Sequence, residues 1–318
     1  MNQLVRIRPA VALGVAAILV ALASWAQGAG DVAVQLALSQ QFYYEGDPLD
    51  VRISVQNLGD KKIDNPIASS LFGGFRVRSS GESLERTGET TVEEPSRPGK
   101  LARDSFYGAV VNLVDLYPQL ATSGTYEIYW QGDGILSEML VVTIIPRYDP
   151  EKAYLGEIQT ELGAIVIDLL GADSPIAVKS FIDLANAGFY DGLQMSEVRA
   201  DNYVVGGDPR FGAEPRQPIQ FPAEQSALSL VAGTVVLKPM RATPPANGPT
   251  FMIMLRPQPA WTGQVTVLGQ VVEGLDVVQK ISRLPSSMRN SEPNFKPLRD
   301  VTIKKLTIRE KARTGAPS

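Results

Sequence analysis

The stretch YDGLQMSEVRADNYVVGGDP, Tyr190–Pro209, decides the fold. Its two ends are turn chemistry. Tyr190-Asp191-Gly192 closes a helix into a strand, and Gly206-Gly207-Asp208-Pro209 stops the strand that follows. Between them Met195–Val205 reads as strand with one polar break at Ala200–Asn202. Working outward, Ile158, Ile165, Ile167 and Leu169 alternate about a Leu162-Gly163 turn and predict a strand pair. Asp173 or Ser174 caps a helix led by Pro175, with Ile176, Phe181, Leu184 and Ala185 on one face and Gly188 at its end. Downstream, Gly233 leads a strand. Val277, Val278, Ile281 and Leu284 suit a second helix, and Val301–Ile308 suits a final strand.

The order of these elements and motifs resembles the cyclophilin family of peptidyl-prolyl cis-trans isomerases. The spacing from Tyr190 to Pro209 is that of the family. Asn247-Gly248-Pro249-Thr250-Phe251-Met252-Ile253, Thr262-Gly263, Val267–Val271 and Gly274-Leu275-Asp276-Val277-Val278 follow the family's later motifs in order. The resemblance implies a cyclophilin-like closed β-barrel flanked by two helices over residues 153–310, with 311–318 a disordered tail.

It also implies a chemistry. Rotating an X–Pro bond means losing amide resonance against a barrier of ~18–20 kcal/mol. The family lowers it with an arginine aimed at the proline nitrogen, a glutamine beside it, and an apolar pocket for the ring. Carried across position by position, the arginine's place is Glu197, whose ionised carboxylate accepts hydrogen bonds and donates none. Arg199, two residues on and on the same strand face, is the candidate substitute donor. The substrate-facing positions fall at Met195, Asn202, Tyr203, Val205, Met240, Met252 and Trp261, with Val265 at a rim position; Arg241 and Arg256 lie near the expected groove. The turn and core positions of the family are kept while almost every substrate-facing position differs.

Composition narrows the alternatives. The 318 residues suggest two domains, and 44% apolar content is ordinary for a globular chain. There are no cysteines and no histidines, which removes disulfides, thiol catalysis, imidazole metal sites and serine-histidine triads. No metal or other cofactor is expected. A net charge of -4 with interspersed signs gives no case for nucleic acid.

Residues 1–29 read as a secretory signal: Arg6 and Arg8, the apolar run Pro9–Ala23, then small residues with cleavage after Ala26, Gly28 or Ala29. The run is shorter than the ~20 residues of a membrane span, so no stable span is expected after cleavage. The chain is expected to be exported, to a periplasm or the extracellular space.

Residues 31–148 alternate as strands: Val32, Val34, Leu36 and Leu38; Leu49, Val51, Ile53 and Val55; Tyr126, Ile128 and Trp130; then Met139–Ile145. Leu120 and Gly124-Thr125-Tyr126 resemble the corner of immunoglobulin-like β-sandwiches, where a tyrosine hydroxyl ties back to the preceding turn. Ser79–Asp104 reads as long exposed loops, and its glutamates (Glu82, Glu85, Glu89, Glu93, Glu94) as solvated rather than cation-binding.

The fold expectation is therefore mainly β: an immunoglobulin-like β-sandwich followed by a cyclophilin-like closed β-barrel with two helices. Two functions compete. One is an exported prolyl isomerase of weak or absent activity acting on proline-containing peptides or unfolded exported proteins. The other is a non-catalytic peptide- or protein-binding module of the cell envelope, with residues 31–148 meeting an envelope partner.

Overall fold

The computed structural model describes residues 31–312 apart from 41, 88–95, 214–215, 217–218, 241 and 290–291. The leader at 1–29, Glu89, Glu93, Glu94, Arg241 and the tail from 313 lie outside the described residues. The chain divides into two units. One is built from residues 31–142; the other from 143–312, which also takes in 44–46 and 122–124.

The first unit is made of antiparallel strands. β1 (Val32–Leu38), β2 (Asp50–Asn57) and β4 (Phe106–Asn112) form one sheet with β2 in the middle, registering Val34 with Val55 and Ile53 with Ala109. A second sheet centres on β5 (Gly124–Gly132), with β3 (Phe75–Ser79) on one side and β6 (Leu140–Ile145), whose residues from Thr143 count with the second unit, on the other. The alternation is physical: Val51, Ile53 and Val55 are buried while Arg52 is exposed, and Phe75 and Val77 are buried while Arg76 and Arg78 are exposed. Each such buried side chain is worth about 1.5–3 kcal/mol relative to exposure. Trp130 is fully enclosed and donates its indole N–H to the Leu71 carbonyl at 3.0 Å. The Tyr126 hydroxyl donates to the Gln119 carbonyl at 3.0 Å, a tie back to the preceding turn. Within the polar stretch Ser79–Asp104, Glu82–Ser83 and Lys100–Leu101 are two-residue strands.

In the second unit, the main sheet runs β9 (Glu197–Arg199), β10 (Tyr203–Gly206), β12 (Ala246–Met254), β11 (Thr234–Met240), β13 (Thr266–Glu273), β8 (Gly163–Leu169), β7 (Tyr154–Thr160) and β14 (Lys305–Glu310). The sheet curls. Gly192 and Met195 donate backbone N–H groups to Ile303 and Val301, and Ile303 donates to Leu193, so the segments leading into its two end strands meet. The final strand starts at Lys305, because Val301–Ile303 spend their backbone groups on this closure.

Helices α1 (Pro175–Asn186) and α2 (Leu275–Ser282) pack on the sheet. On α1 the buried face is Ala177, Val178, Phe181, Ile182, Leu184 and Ala185; Ile176, expected there, is exposed at the first turn. Nor does Ser174 cap α1 through its side chain. The Glu224 carboxylate does so from a distant loop, accepting from Ile176 N at 3.1 Å and Ala177 N at 2.8 Å. Among the described residues no helix is long and apolar enough to cross a membrane.

The segment Tyr190–Pro209 organises the core of this unit. Tyr190 is buried between Phe181 and Phe251, with ring centroids 5.0 Å and 6.1 Å away. Asp191 pins the turn to β14, accepting from Leu306 N at 3.0 Å and Lys305 Nζ at 2.7 Å. Gly207 has φ +74°, and a Cβ there would meet the Pro249 carbonyl at 2.8 Å, so the turn needs glycine twice over.

Candidate functional site

Strand pairing builds one face of the curled sheet into a groove. Glu197 lies opposite Val205 and Arg199 opposite Tyr203, while Val205 lies opposite Met252 and Val236 opposite both Met252 and Val267. Val205, Val236, Met252, Met254, Val265, Val267 and Leu230 form one buried cluster, with Tyr203 and Trp261 packed against it. Lys238 follows on β11 at a bulge between Leu237 and Pro239 that breaks its regular pairing with β12. Above this floor is a cavity of about 440 Å3 lined by Glu197, Arg199, Tyr203, Lys238, Pro239, Met252, Trp261, Gln264 and Val265. That volume suits a short peptide segment or a small ring.

The polar wall is a network centred on Glu197. Its Oε1 accepts from the Tyr203 hydroxyl at 2.8 Å and from Arg199 Nε at 3.1 Å; its Oε2 faces Lys238 Nζ at 3.7 Å. The Glu197 side chain is 20% exposed, against 40% for Arg199 and 45% for Lys238. Arg199 is held further by stacking over Phe295, 3.6 Å from the ring centroid, and lies 5.4 Å from the Tyr203 centroid. Burial, and then the Glu197 carboxylate, push the Tyr203 phenol above its ordinary range, so it stays protonated and donating. The carboxylate is thus surrounded by donors, and no donor in the network is made more available by it.

Of the residues expected to face substrate, the structure brings Glu197, Arg199, Tyr203, Met252 and Trp261 together. It does not bring Met195, Asn202, Val205 or Met240 to the cavity wall. Met195 is buried, its sulfur 2.7 Å from where a Gly206 Cβ would stand. Val205 sits in the cluster beneath the floor. Asn202 tethers a loop, its Oδ1 accepting from Arg256 Nε at 2.9 Å and Gln258 Nε2 at 2.7 Å. Arg256 is thereby turned to that loop. Met240 packs beside Gly248, 3.2 Å from its Cβ position. Sequence reasoning missed Lys238 and Gln264; Pro239, which the sequence suggests as a rigid loop residue beside the groove, lies on β11 and lines the cavity.

A metal site of three or more acidic side chains does not occur among the described residues. The comparisons with known proteins bear on residues 155–308, which match the family model "Cyclophilin type peptidyl-prolyl cis-trans isomerase/CLD". Peptidyl-prolyl cis-trans isomerase ppi1 of Schizosaccharomyces pombe is 34% identical over 142 residues, covering 43% of this chain and 92% of that protein. The chain belongs to the cyclophilin family.

Peptidyl-prolyl cis-trans isomerase-like 1 of Rhizopus delemar is 32% identical over 127 residues, 39% of this chain and 77% of that protein. A crystal structure of a Cryptosporidium parvum cyclophilin type peptidyl-prolyl cis-trans isomerase covers 50% of this chain and 99% of that one, at 23% identity and a TM-score of 0.45. The cyclophilin part of the chain is the second unit, and the groove described above lies wholly within it.

Proposed function

We propose that the cyclophilin unit binds proline-containing peptides in the groove over Met252 and Val265 and turns them over far more slowly than an arginine-bearing cyclophilin. The observation that carries this reading is the Glu197 network. At the place where the family resemblance puts the catalytic arginine there is an acceptor already bonded to Tyr203 and Arg199. The transition state for X–Pro rotation asks for a donor toward the proline nitrogen, and an ionised carboxylate has none. The apolar floor of Met252, Trp261 and Val265 still offers a proline ring a surface, so binding outlasts catalysis.

Arg199 supports a second, catalytic reading, because its guanidinium lines the same cavity. The two separate cleanly in a protease-coupled proline-peptide assay run beside calorimetry. Heat of binding with a rate at the uncatalysed level supports the binding reading. A rate well above buffer that Arg199→Ala abolishes supports the catalytic one. Neither heat nor rate with any proline peptide refutes both.

We further infer that the chain is exported and that residues 31–148 are an immunoglobulin-like partner-binding module. The leader pattern at 1–29 supports the first, and the Tyr126–Gln119 tie supports the immunoglobulin-like half of the second, whose partner binding follows from the lack of a catalytic constellation in its sequence. A secreted chain whose mass starts at residue 27, 29 or 30 is the expected result; a cytosolic chain of full mass would refute export.

A further inference from the structure

We infer that the groove selects proline peptides carrying a carboxylate side chain, and that Lys238 is the residue that reads it. The inference rests on the binding reading above and names its substrate class. The wall of the groove holds two cations and one carboxylate, so its local charge is positive although the chain as a whole is at -4.

The two cations are not equivalent. Arg199 is fixed by its hydrogen bond to Glu197 at 3.1 Å and by its stack on Phe295. Lys238 approaches Glu197 only to 3.7 Å, beyond hydrogen-bond length, and is the more exposed of the two. Asp208, whose charge Lys238 also feels, is already bound by Arg210 at 3.0 Å and 2.7 Å. An ammonium has three donors. The Lys238 ammonium is therefore placed to give a ligand carboxylate a shorter, charge-assisted bond than it makes to Glu197.

Glu197 does not cancel this preference. Its Oε1 is covered by Tyr203 and Arg199, and it is the least exposed charge in the groove. A basic ligand side chain would meet Arg199 and Lys238 before reaching it.

The test is calorimetry on the full chain with short peptides sharing an Ala-Pro core, in which one residue, from three before to three after the proline, is Glu, Gln or Lys. At low salt, Glu at one of these positions should bind on the order of twofold to fivefold tighter than Gln, with Lys weaker still. The advantage should fall away in about 0.5 M salt. It should vanish in Lys238→Gln and reverse toward Lys in Lys238→Glu, with melting temperatures near the parent's. Equal binding of Glu and Gln at every position would overturn the inference and leave the binding reading standing, as would an advantage that survives Lys238→Gln. If no peptide binds, the binding reading itself falls, and this inference with it.

Discussion

Placing an arginine at position 197, where the family resemblance puts one, while removing Arg199 tests whether the Glu197 acceptor limits the chemistry. Glu197 now takes hydrogen bonds from Tyr203 at 2.8 Å and Arg199 at 3.1 Å and faces Lys238 at 3.7 Å. Glu197→Arg alone would set a new cation against two existing ones. Like unit charges at that separation repel by about 4 kcal/mol at an effective dielectric of ~20, and by a fraction of it near solvent. That favours swinging the new side chain out of the groove, so Arg199→Ala is combined with it, which removes the nearer of the two cations and leaves Lys238.

A single preorganised donor is worth about 2.7–4 kcal/mol, or ~10²–10³ in rate. Val205, where the resemblance puts the family's glutamine, is buried beneath the floor and Asn202 is tied to its loop, so part of that gain stays out of reach. The expected gain in kcat/KM for the double variant is about tenfold to a hundredfold over the parent, read by protease coupling in the cold. Tyr203 loses an acceptor in this variant, so its melting temperature is checked alongside. A folded double variant with no gain would refute the reasoning, as would a parent enzyme already as fast.

Other expectations follow from the same geometry. Glu224→Ala removes the carboxylate that caps α1 at Ile176 and Ala177; it should cost about 1–2 kcal/mol and lower the melting temperature of the cyclophilin unit by about 2–8 °C in calorimetry. Tyr126→Phe breaks the tie to Gln119 and should cost about 0.5–1.5 kcal/mol in the first unit, measured as a lower urea midpoint. Asp208 gives a pH signature. Burial alone raises its carboxyl, but the Arg210 bonds outweigh this and hold it below the ordinary value of 3.8. A depressed folded value means stability that is present above the ordinary carboxylate range and lost as pH falls through the folded value. Arg210→Ala removes the guanidinium bonds and charge but leaves the backbone N–H of residue 210 and the Lys238 charge beside Asp208, so its carboxyl should rise and the acid loss should begin at higher pH; urea midpoints from pH 6 to 2 that superimpose on the parent's would contradict this.

The cyclophilin unit was legible because its turns are local chemistry. Gly188, Gly192 and Gly207 all take positive φ, and the residues between them alternate as a pleated strand must. Two strands of the first unit were not legible. β3 is short and follows a Gly-Gly pair, and β4 turns Phe106 and Val110 outward, so apolar residues there do not mark a buried face. In the groove, the positions carried by family spacing on β9 and β10 fell on the right strands but split by depth. Tyr203 reaches the wall, while Val205, two residues on along the same strand, stays below the floor. The opposite wall depends on how β11 registers against β12 and β13, with a bulge between Leu237 and Pro239. That is long-range pairing, which no local pattern near Lys238 encodes.

The central claim is that this groove holds proline without turning it. Two-dimensional exchange NMR of an Ala-Pro peptide mixed with the full chain reads both halves at once. The account predicts peptide resonances that shift or broaden on titration while cis–trans exchange stays at the uncatalysed pace of tens of seconds or more. Exchange cross-peaks growing within a fraction of a second at substoichiometric protein would contradict it, and so would a spectrum that the protein leaves unchanged.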